Sequence, residues 1–426
     1  MKKYVQSIKN FWHLIDAFWA RLKYHNPSKN LIVIGVTGTD GKTTTANLIQ
    51  FLLQSQGVKV GLVSTIDAKI GDKSIDTGFH VTSPDASDLQ ELLSEMVASN
   101  MTHVVLEVTS HALDQHRFYG IHFDIAVLTN LSHEHLDYHG NMDSYGASKA
   151  KLFKNAKLSV LNHDDESFSL FERQTRNFVT YGIKKKSTYQ ATTGELKEFG
   201  QEFNINGLAT RTNLFGKYNI YNILAASAVL GELKFNLENV LASLPNFPQL
   251  AGRFEILNYG QPFLVVVDFA HTPRALDVLL TNINELKESE SLVGGIKLTQ
   301  KSKIILVFGC AGLRDSLKRP LMGEIAVKLA DLSIFTAEDP RTENLNQIFS
   351  QMVSGAIKAG GKENVDFAVF PNRKEAIGRA LNIAKKGDII VVTGKGHEKT
   401  MAIGSAEVSW SDSGVFKELI GKHYAN

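Results

Sequence analysis

The stretch Gly35-Val36-Thr37-Gly38-Thr39-Asp40-Gly41-Lys42-Thr43-Thr44-Thr45 follows an apolar run, Leu31-Ile32-Val33-Ile34, and opens a helical pattern. A strand that runs into a glycine-rich turn and then a helix offers an anion its backbone N–H groups and the helix's positive end. Lys42 can reach the outer phosphates of a nucleotide, and the Thr43 hydroxyl suits a Mg²⁺ position. The generic phosphate-loop pattern asks for glycine at position 36, whereas the glycines here stand at 35, 38 and 41. The strand–loop–helix context still reads as a phosphate-binding loop. A glycine-rich turn without a ligand rarely carries Lys-Thr-Thr at a helix start.

Outward from this loop, short apolar runs alternate with helical stretches. Strands are expected at 31–36, 58–64, 103–108, 125–131 and 158–162, with helices at 44–56 and 86–98. Such alternation implies a largely parallel sheet with helices on both faces. Residues 188–214 are polar with short alternation, a small β excursion, and 218–233 returns to helix. Pro245 and Pro248 mark a linker. A second series follows, with strands at 263–269, 303–310, 332–336, 365–370 and 388–393 and helices at 273–287, 319–329, 345–358 and 373–385. The expected fold class is α/β. A P-loop central domain with a mainly parallel sheet spans 31–245, and a Rossmann-like α/β domain spans 246–426. An amphipathic helical segment at 1–30 precedes them. Ligands of open α/β sheets gather at the carboxyl ends of strands, so two domains facing each other over a cleft are expected.

The 426 residues carry 46 Lys and Arg against 44 Asp and Glu, and a net charge of +2 makes no electrostatic case for nucleic acid. The single cysteine, Cys310, excludes an internal disulfide and a multi-cysteine zinc site, and it fits a reducing cytoplasm. No apolar run reaches the length of a membrane span. Near the N-terminus, Val5, Ile8, Phe11, Trp12, Ile15, Phe18, Trp19 and Leu22 recur at helical spacing among Lys2, Lys3, Lys9, Arg21 and Lys23. This segment lacks the unbroken apolar block of a signal peptide. Two readings stay open: a helix packed on the body of the protein, which is favoured, and a basic aromatic helix lying on a membrane surface.

Other runs carry chemistry. Glu107, in Val105-Leu106-Glu107-Val108-Thr109-Ser110-His111-Ala112-Leu113, places a carboxylate near a strand end, where it can hold the Mg²⁺ that touches Thr43. The run from Thr129 to His139 holds His133, Glu134, His135, Asp137 and His139. Its spacing is not that of a helical zinc motif, and a Mg²⁺ or Mn²⁺ site beside a nucleotide suits it better. Downstream, Arg314, Lys318 and Arg319 crowd a loop ahead of a helix, and arginine forks suit carboxylates and phosphates. Ala337-Glu338-Asp339-Pro340-Arg341-Thr342-Glu343 and Gly394-Lys395-Gly396-His397-Glu398 also follow strands.

With these segments assembled, the chain resembles the Mur ligase family, and within it the MurE type, which adds the third peptide residue to a UDP-N-acetylmuramoyl-dipeptide. Further matching stretches are Thr82-Ser83-Pro84, Gln115-His116-Arg117, Gly252-Arg253-Phe254-Glu255 and Asp268-Phe269-Ala270-His271-Thr272-Pro273. The resemblance implies that Gly38, Thr39, Asp40, Gly41, Lys42, Thr43 and Thr44 cradle ATP. Glu107 would share a Mg²⁺ with Thr43, and His135 would hold a second. Lys149 matches a lysine that is carbamylated, with Lys151 as its rival if the register slips. Asn222 would contact adenine, and Arg253, Asp268 and His271 would reach ATP from the second domain. Thr82, Ser83, Thr109, Gln115 and Arg117 would grip the nucleotide-sugar peptide. Arg319, Asp339, Arg341, Gly394 and Glu398 would grip the incoming amino acid.

The implied reaction is amide formation driven by ATP through an acyl phosphate, with Lys42, Glu107, His135 and Lys149 as its catalytic set. The implied partners are UDP-MurNAc-L-Ala-D-Glu and either meso-diaminopimelate or L-lysine; the implied state is a cytoplasmic monomer. The phosphate loop at residue 35 leaves no room for the family's N-terminal uridine-binding domain. Asp40 stands where Asn is usual, and Arg274 replaces an acidic residue. Arg341 matches the diaminopimelate type, while Asp339, read in the position of a usual Asn, adds negative charge that favours lysine's ammonium. The reading leans to diaminopimelate. Competing functions are a folylpolyglutamate-like ligase of the same superfamily and a nucleotide-binding protein without ligase activity.

Overall fold

The structure is a computed structural model that describes residues 2–71, 73–75, 83–192, 194–197 and 200–424. The chain divides into two compact units, the first holding 1–195 and 201–247 and the second 196–200 and 248–426.

The first unit opens on helix α1 (Lys2–Lys23) and is built on a nine-stranded sheet among the described residues. The sheet strands and the helices near the loop are, in order, β1 (Ile32–Thr37), α2 (Lys42–Ser55), β2 (Val60–Val63), β3 (Ala68–Ile70), β4 (Lys73–Ile75), α3 (Ala86–Ala98), β5 (His103–Glu107), α4 (Ser110–Asp114), β6 (Ile125–Leu128), α5 (Leu136–His139), α6 (Met142–Lys154), β7 (Leu158–Asn162), β8 (Phe178–Gly182) and β9 (Tyr189–Gln190). The sheet order is β4-β3-β2-β5-β1-β6-β7-β8-β9. β1 lies between β5 and β6 and pairs parallel with both, Val36 opposite Glu107 and opposite Val127. Val33, Ile34 and Val36 are fully buried, as a strand covered on both faces requires. The antiparallel strands β3 and β4 extend one edge, and β8 and β9 continue the other in parallel. β3, β4 and β8 are not among the strands expected from sequence, whereas β9 falls in the β excursion expected at 188–214. β3 and β4 have three residues each, and β8 (Phe178-Val179-Thr180-Tyr181-Gly182) buries only its last two residues. Pairing with an existing edge stabilises them, a contribution periodicity cannot register.

The central position of β1 carries its loop to the middle of the sheet's carboxyl edge. Two glycines make the loop possible. Gly38 has φ +154° and a Cβ there would lie 1.8 Å from Thr129 Oγ1; Gly41 has φ +79° and its Cβ would lie 2.4 Å from Asn222 Oδ1. Substitution at either position therefore meets both strain and collision.

The second unit has a six-stranded sheet in which Glu255–Leu257 pairs antiparallel with Leu264–Asp268. The remaining ladders are parallel, in the order Leu264–Asp268, Ile389–Thr393, Ile304–Phe308, Leu332–Phe335, Phe367–Val369. Helices Pro273–Glu288, Lys318–Leu329, Leu345–Lys358 and Arg373–Ile383 connect them, within a few residues of the expected positions. The loops that follow Asp268, Phe308, Phe335 and Thr393 leave the carboxyl ends of these strands, whereas Arg253 lies just before the antiparallel strand Glu255–Leu257.

Candidate active site

In the first unit, four elements converge on the phosphate loop. Thr43, in the first turn of α2, donates its hydroxyl to Glu107 Oε1 over 3.1 Å at the end of β5. The backbone N–H of Thr65 donates to Glu107 Oε2 over 2.9 Å, which fixes the carboxylate's plane. Lys42 donates its ammonium to the loop carbonyl of Thr39 at 2.7 Å. From α6, Lys149 donates to the carbonyl of Gly38 at 2.6 Å.

Lys149 is 1 % exposed and lies over the Tyr145 ring, 4.6 Å from its centre. Burial holds its pKa well below the ordinary lysine range, and the charge of Lys42 lowers it further, against the pull of Asp40, Glu107 and Glu134. Helix α6 sits where it does because Asn141 caps it, accepting from Ser144 N at 2.8 Å. Tyr145, on the same helix, brings its hydroxyl to 3.2 Å from Thr39 Oγ1.

His135 adopts φ +56° in the turn before α5. Its ring meets His111 edge-on at 4.7 Å and Tyr145 at 6.1 Å, so it stands one side chain away from the loop. His139 bonds Ser110 Oγ at 3.0 Å, which makes it a support for α4. Asp40 is held by Asn130, which accepts from its N–H and donates to its carbonyl, both at 3.0 Å. Thr44 is buried beside Thr43. Asn222, on the helix Lys217–Glu232, accepts from Thr45 Oγ1 at 3.2 Å. Among the described residues no three His, Cys, Asp or Glu side chains gather into a metal cage. Thr43 and Glu107 are hard oxygen donors of the kind a Mg²⁺ shares with phosphates and water.

A second group adjoins the first. Ser83 Oγ bonds the carbonyl of Glu107 and the hydroxyl of Thr109, both at 3.2 Å. Thr109 caps α4, accepting from Ala112 N. Arg117 donates to the carbonyl of Ser83 at 2.6 Å, forks onto Gln115 Oε1 at 3.0 and 2.8 Å, and pairs with Asp85 at 3.1 Å. Ser83, Thr109, Gln115 and Arg117 are thus one connected cluster. Thr82 lies outside the described residues.

In the second unit, Asp268 ends its strand and accepts from Phe254 N at 2.7 Å and Ala270 N at 2.8 Å. The Arg253 guanidinium lies 4.8 Å from the Phe269 ring centre, and the His271 ring lies 4.6 Å from the same ring. Arg253, Asp268 and His271 are therefore neighbours.

The residues expected to hold an amino acid form a network of internal ion pairs. Arg319 is fully buried; it forks onto Glu343 at 2.6 and 2.8 Å and reaches Gln351 Oε1 and the Ala311 carbonyl. Asp339 Oδ1 accepts from Lys395 Nζ at 2.7 Å and Ala402 N at 2.9 Å, and Arg341 stands 3.8 Å from its other oxygen. Lys395 also pairs with Glu398. Gly394 has φ +102°, and a Cβ there would collide with Glu338 Oε2. Glu338 is wholly buried and its carboxyl is pushed up to about 7 by burial, against the lowering pull of Lys318, Arg373 and Lys395.

Four residues escaped the sequence reading. Lys395 and Glu338 lay in quoted stretches without an assigned role. The pair Arg373–Asp412, buried at 2.7 Å, gave no signal, since 39 residues separate its members. Arg373 also donates to the carbonyls of Thr393 and Ala337, tying together two strand ends that bear site residues.

Comparison with known proteins accords with this geometry. The family model of the Mur ligase middle domain matches residues 36–230, and that of the Mur ligase glutamate ligase domain matches 252–396. A UDP-N-acetylmuramoyl-L-alanyl-D-glutamate--2,6-diaminopimelate ligase of Geobacillus kaustophilus is 37% identical over 421 residues, 96% of this chain and 81% of that protein. The same-named enzyme of Caldanaerobacter subterraneus is 40% identical over 405 residues, 94% of this chain and 80% of that one. A solved structure of such a ligase aligns with a TM-score of 0.61 and 31% identity, covering 92% of this chain and 79% of that one. A Mycobacterium tuberculosis folylpolyglutamate synthase aligns with a TM-score of 0.69 at 14% identity, covering 96% and 95%, and shares the fold alone. Loop, paired units and sequence agree: this chain belongs to the Mur ligase family.

Proposed function

We propose that this protein is the ATP-dependent ligase that joins meso-diaminopimelate to UDP-N-acetylmuramoyl-L-alanyl-D-glutamate in the cytoplasm, a step of peptidoglycan precursor synthesis. The carrying observation is that Lys42, Thr43, Glu107 and Lys149 meet on one phosphate-type loop. The D-glutamyl carboxylate attacks the γ-phosphorus of ATP, the bond to the β-phosphate oxygen breaks, and ADP leaves. The amine of the incoming residue then attacks the acyl phosphate carbonyl, phosphate leaves, and the amine loses its proton.

Thr43 and Glu107 are the residues that would hold a Mg²⁺, with His135 toward a second ion. When bound, the ion supplies positive charge against the β- and γ-phosphates. Lys42 stabilises the transferring phosphoryl group from the protein side. The depressed pKa of Lys149 keeps a neutral amine available, and a neutral amine adds CO₂ to give a carbamate and a released proton. That carbamate turns the buried cation into an anionic oxygen donor beside the loop. The Ser83–Thr109–Gln115–Arg117 cluster suits the peptide's carboxylate and amide groups.

Diaminopimelate is favoured over lysine by the fate of Asp339. Its negative charge is already met by the buried Lys395, with Arg341 close by, so little is left to select an ammonium. The distal carboxylate of diaminopimelate suits Arg341, and the relatives named above are diaminopimelate ligases. The test is phosphate release from ATP, Mg²⁺ and the nucleotide-dipeptide on adding each amine, followed by the product mass. Release that ignores every amine would sink ligation; turnover with lysine alone would overturn the choice of amino acid.

A further inference from the structure

The amphipathic pattern of α1 runs opposite to its packing. At 3.6 residues per turn, Phe11, Trp12, Ile15, Phe18, Trp19 and Leu22 share one side of the helix. A helix with such a stripe ordinarily turns it toward the core. Here α1 packs against α3, and among its described side chains those buried are Ala17 and Ala20, 1 % and 5 % exposed. Asn10, on that same side, donates to Asp114 Oδ2 at 2.9 Å and accepts from Gln6. The Arg21 guanidinium lies 6.0 Å from the Tyr119 ring centre. The docked face is therefore small and polar, and the aromatic face points away. Phe11, Trp12, Phe18, Trp19 and Leu22 are 60%, 60%, 42%, 63% and 49% exposed. A folded monomer seldom leaves so dense an apolar strip in water.

The charge of the helix selects the occupant. α1 carries Lys2, Lys3, Lys9, Arg21 and Lys23 against Asp16 alone, while the whole chain is balanced at 46 to 44. Lys9 and Lys23 are exposed. A second copy packed symmetrically through this face would bring two such cationic helices together, which is repulsive. Trp and Phe on one side, with basic residues around them, match the boundary between anionic headgroups and acyl chains. Phe11 with Trp12, and Phe18 with Trp19, form edge-on pairs at 6.3 and 5.9 Å. The helix is suited to lie along a bilayer: among the described residues, none is long and apolar enough to cross one.

We propose that α1 is a reversible membrane-surface anchor, which docks the protein on anionic lipid through its exposed aromatic stripe and the cations beside it. The anchor does not depend on the ligase reading, since none of its residues belongs to the reacting site.

The experiment mixes the intact protein with vesicles of phosphatidylglycerol and phosphatidylcholine, or of phosphatidylcholine alone, and follows co-sedimentation and tryptophan emission. Two of the three tryptophans lie in α1, so insertion shifts emission to the blue. Binding to the anionic vesicles only, weakened at high salt, is expected. The double variant Trp12→Gln/Trp19→Gln, both at exposed positions, should bind about ten-fold or more weakly while its turnover is unchanged. No binding to anionic vesicles at low salt overturns the proposal, as does equal binding by the variant. Dimerisation through the same tryptophans without vesicle binding would assign the face to a second copy and overturn it equally.

Discussion

Lys149 is where the chemistry is most exposed to test at the level of one residue. Burial and Lys42 both disfavour its charged form, and its amine is the group available for CO₂ addition. Lys149→Ala should lose at least about 10²-fold in turnover, the scale expected when a charged group at a phosphoryl-transfer site is removed, and excess bicarbonate should not restore it. Carbon-13 NMR of protein equilibrated with labelled CO₂ should show one carbamate resonance that vanishes in this variant. Near-normal turnover would show that the assignment is wrong. Glu338 offers a thermodynamic test. Burial raises its carboxyl from the ordinary value of 4.5 to about 7, so the folded state holds the proton more tightly than the unfolded chain. The stability this contributes is complete below pH 4.5 and is lost as pH rises through about 7. Relative to Glu338→Gln, which cannot ionise, the wild type should lose up to about 3 kcal/mol across that window and nothing further above it. Urea unfolding of both proteins from pH 4.5 to 8 reads the difference, and a constant gap between them would refute the argument.

Among the elements, α6 links sequence to site most directly, because one helix delivers both Tyr145 and Lys149 to the loop. Its start depends on Asn141, whose side chain takes the Ser144 N–H. Asn141→Ala should cost about 1 kcal/mol, a typical loss for an N-cap. With Lys149 still buried, turnover at low temperature should be nearly unchanged, whereas the thermal midpoint should fall. α6 itself was not among the expected helices, and Lys149 was located through the resemblance; glycine spacing and the apolar run before it located the loop, and the second unit's helices fell within a few residues of expectation. Edge strands β3, β4 and β8 were not legible, since their stability comes from a neighbour rather than from their own pattern. The pairs Arg319–Glu343 and Asp339–Lys395 were hidden for a related reason. Charges in a quoted loop announce a polar site, but not which of them neutralise one another. The orientation of α1 was the clearest failure of periodicity, which marks a stripe and says nothing of the medium it meets.

For the molecule as a whole, two units with separate sheets raise the question of what holds the second one's strand ends in register. Arg373 and Asp412, 1% and 0% exposed in their side chains, form the buried pair that does so, because Arg373 also bonds the carbonyls of Thr393 and Ala337. A buried pair of this kind contributes little net stability when intact, yet removing one partner strands the other charge in a dry interior. Asp412→Asn should therefore destabilise the second unit by about 3–5 kcal/mol, more than most single substitutions. Trp410 provides a local reporter, since its indole N–H donates to Asp412 Oδ1 at 2.9 Å. Trp12 and Trp19 already face solvent, so fluorescence unfolding curves are dominated by the second unit. The expected result is an early fluorescence transition in Asp412→Asn, with the phosphate-loop unit unfolding later by circular dichroism and still taking up ATP between the two. Coincident transitions displaced together would mean that the two units unfold as one, and that the pair serves the stability of the entire chain.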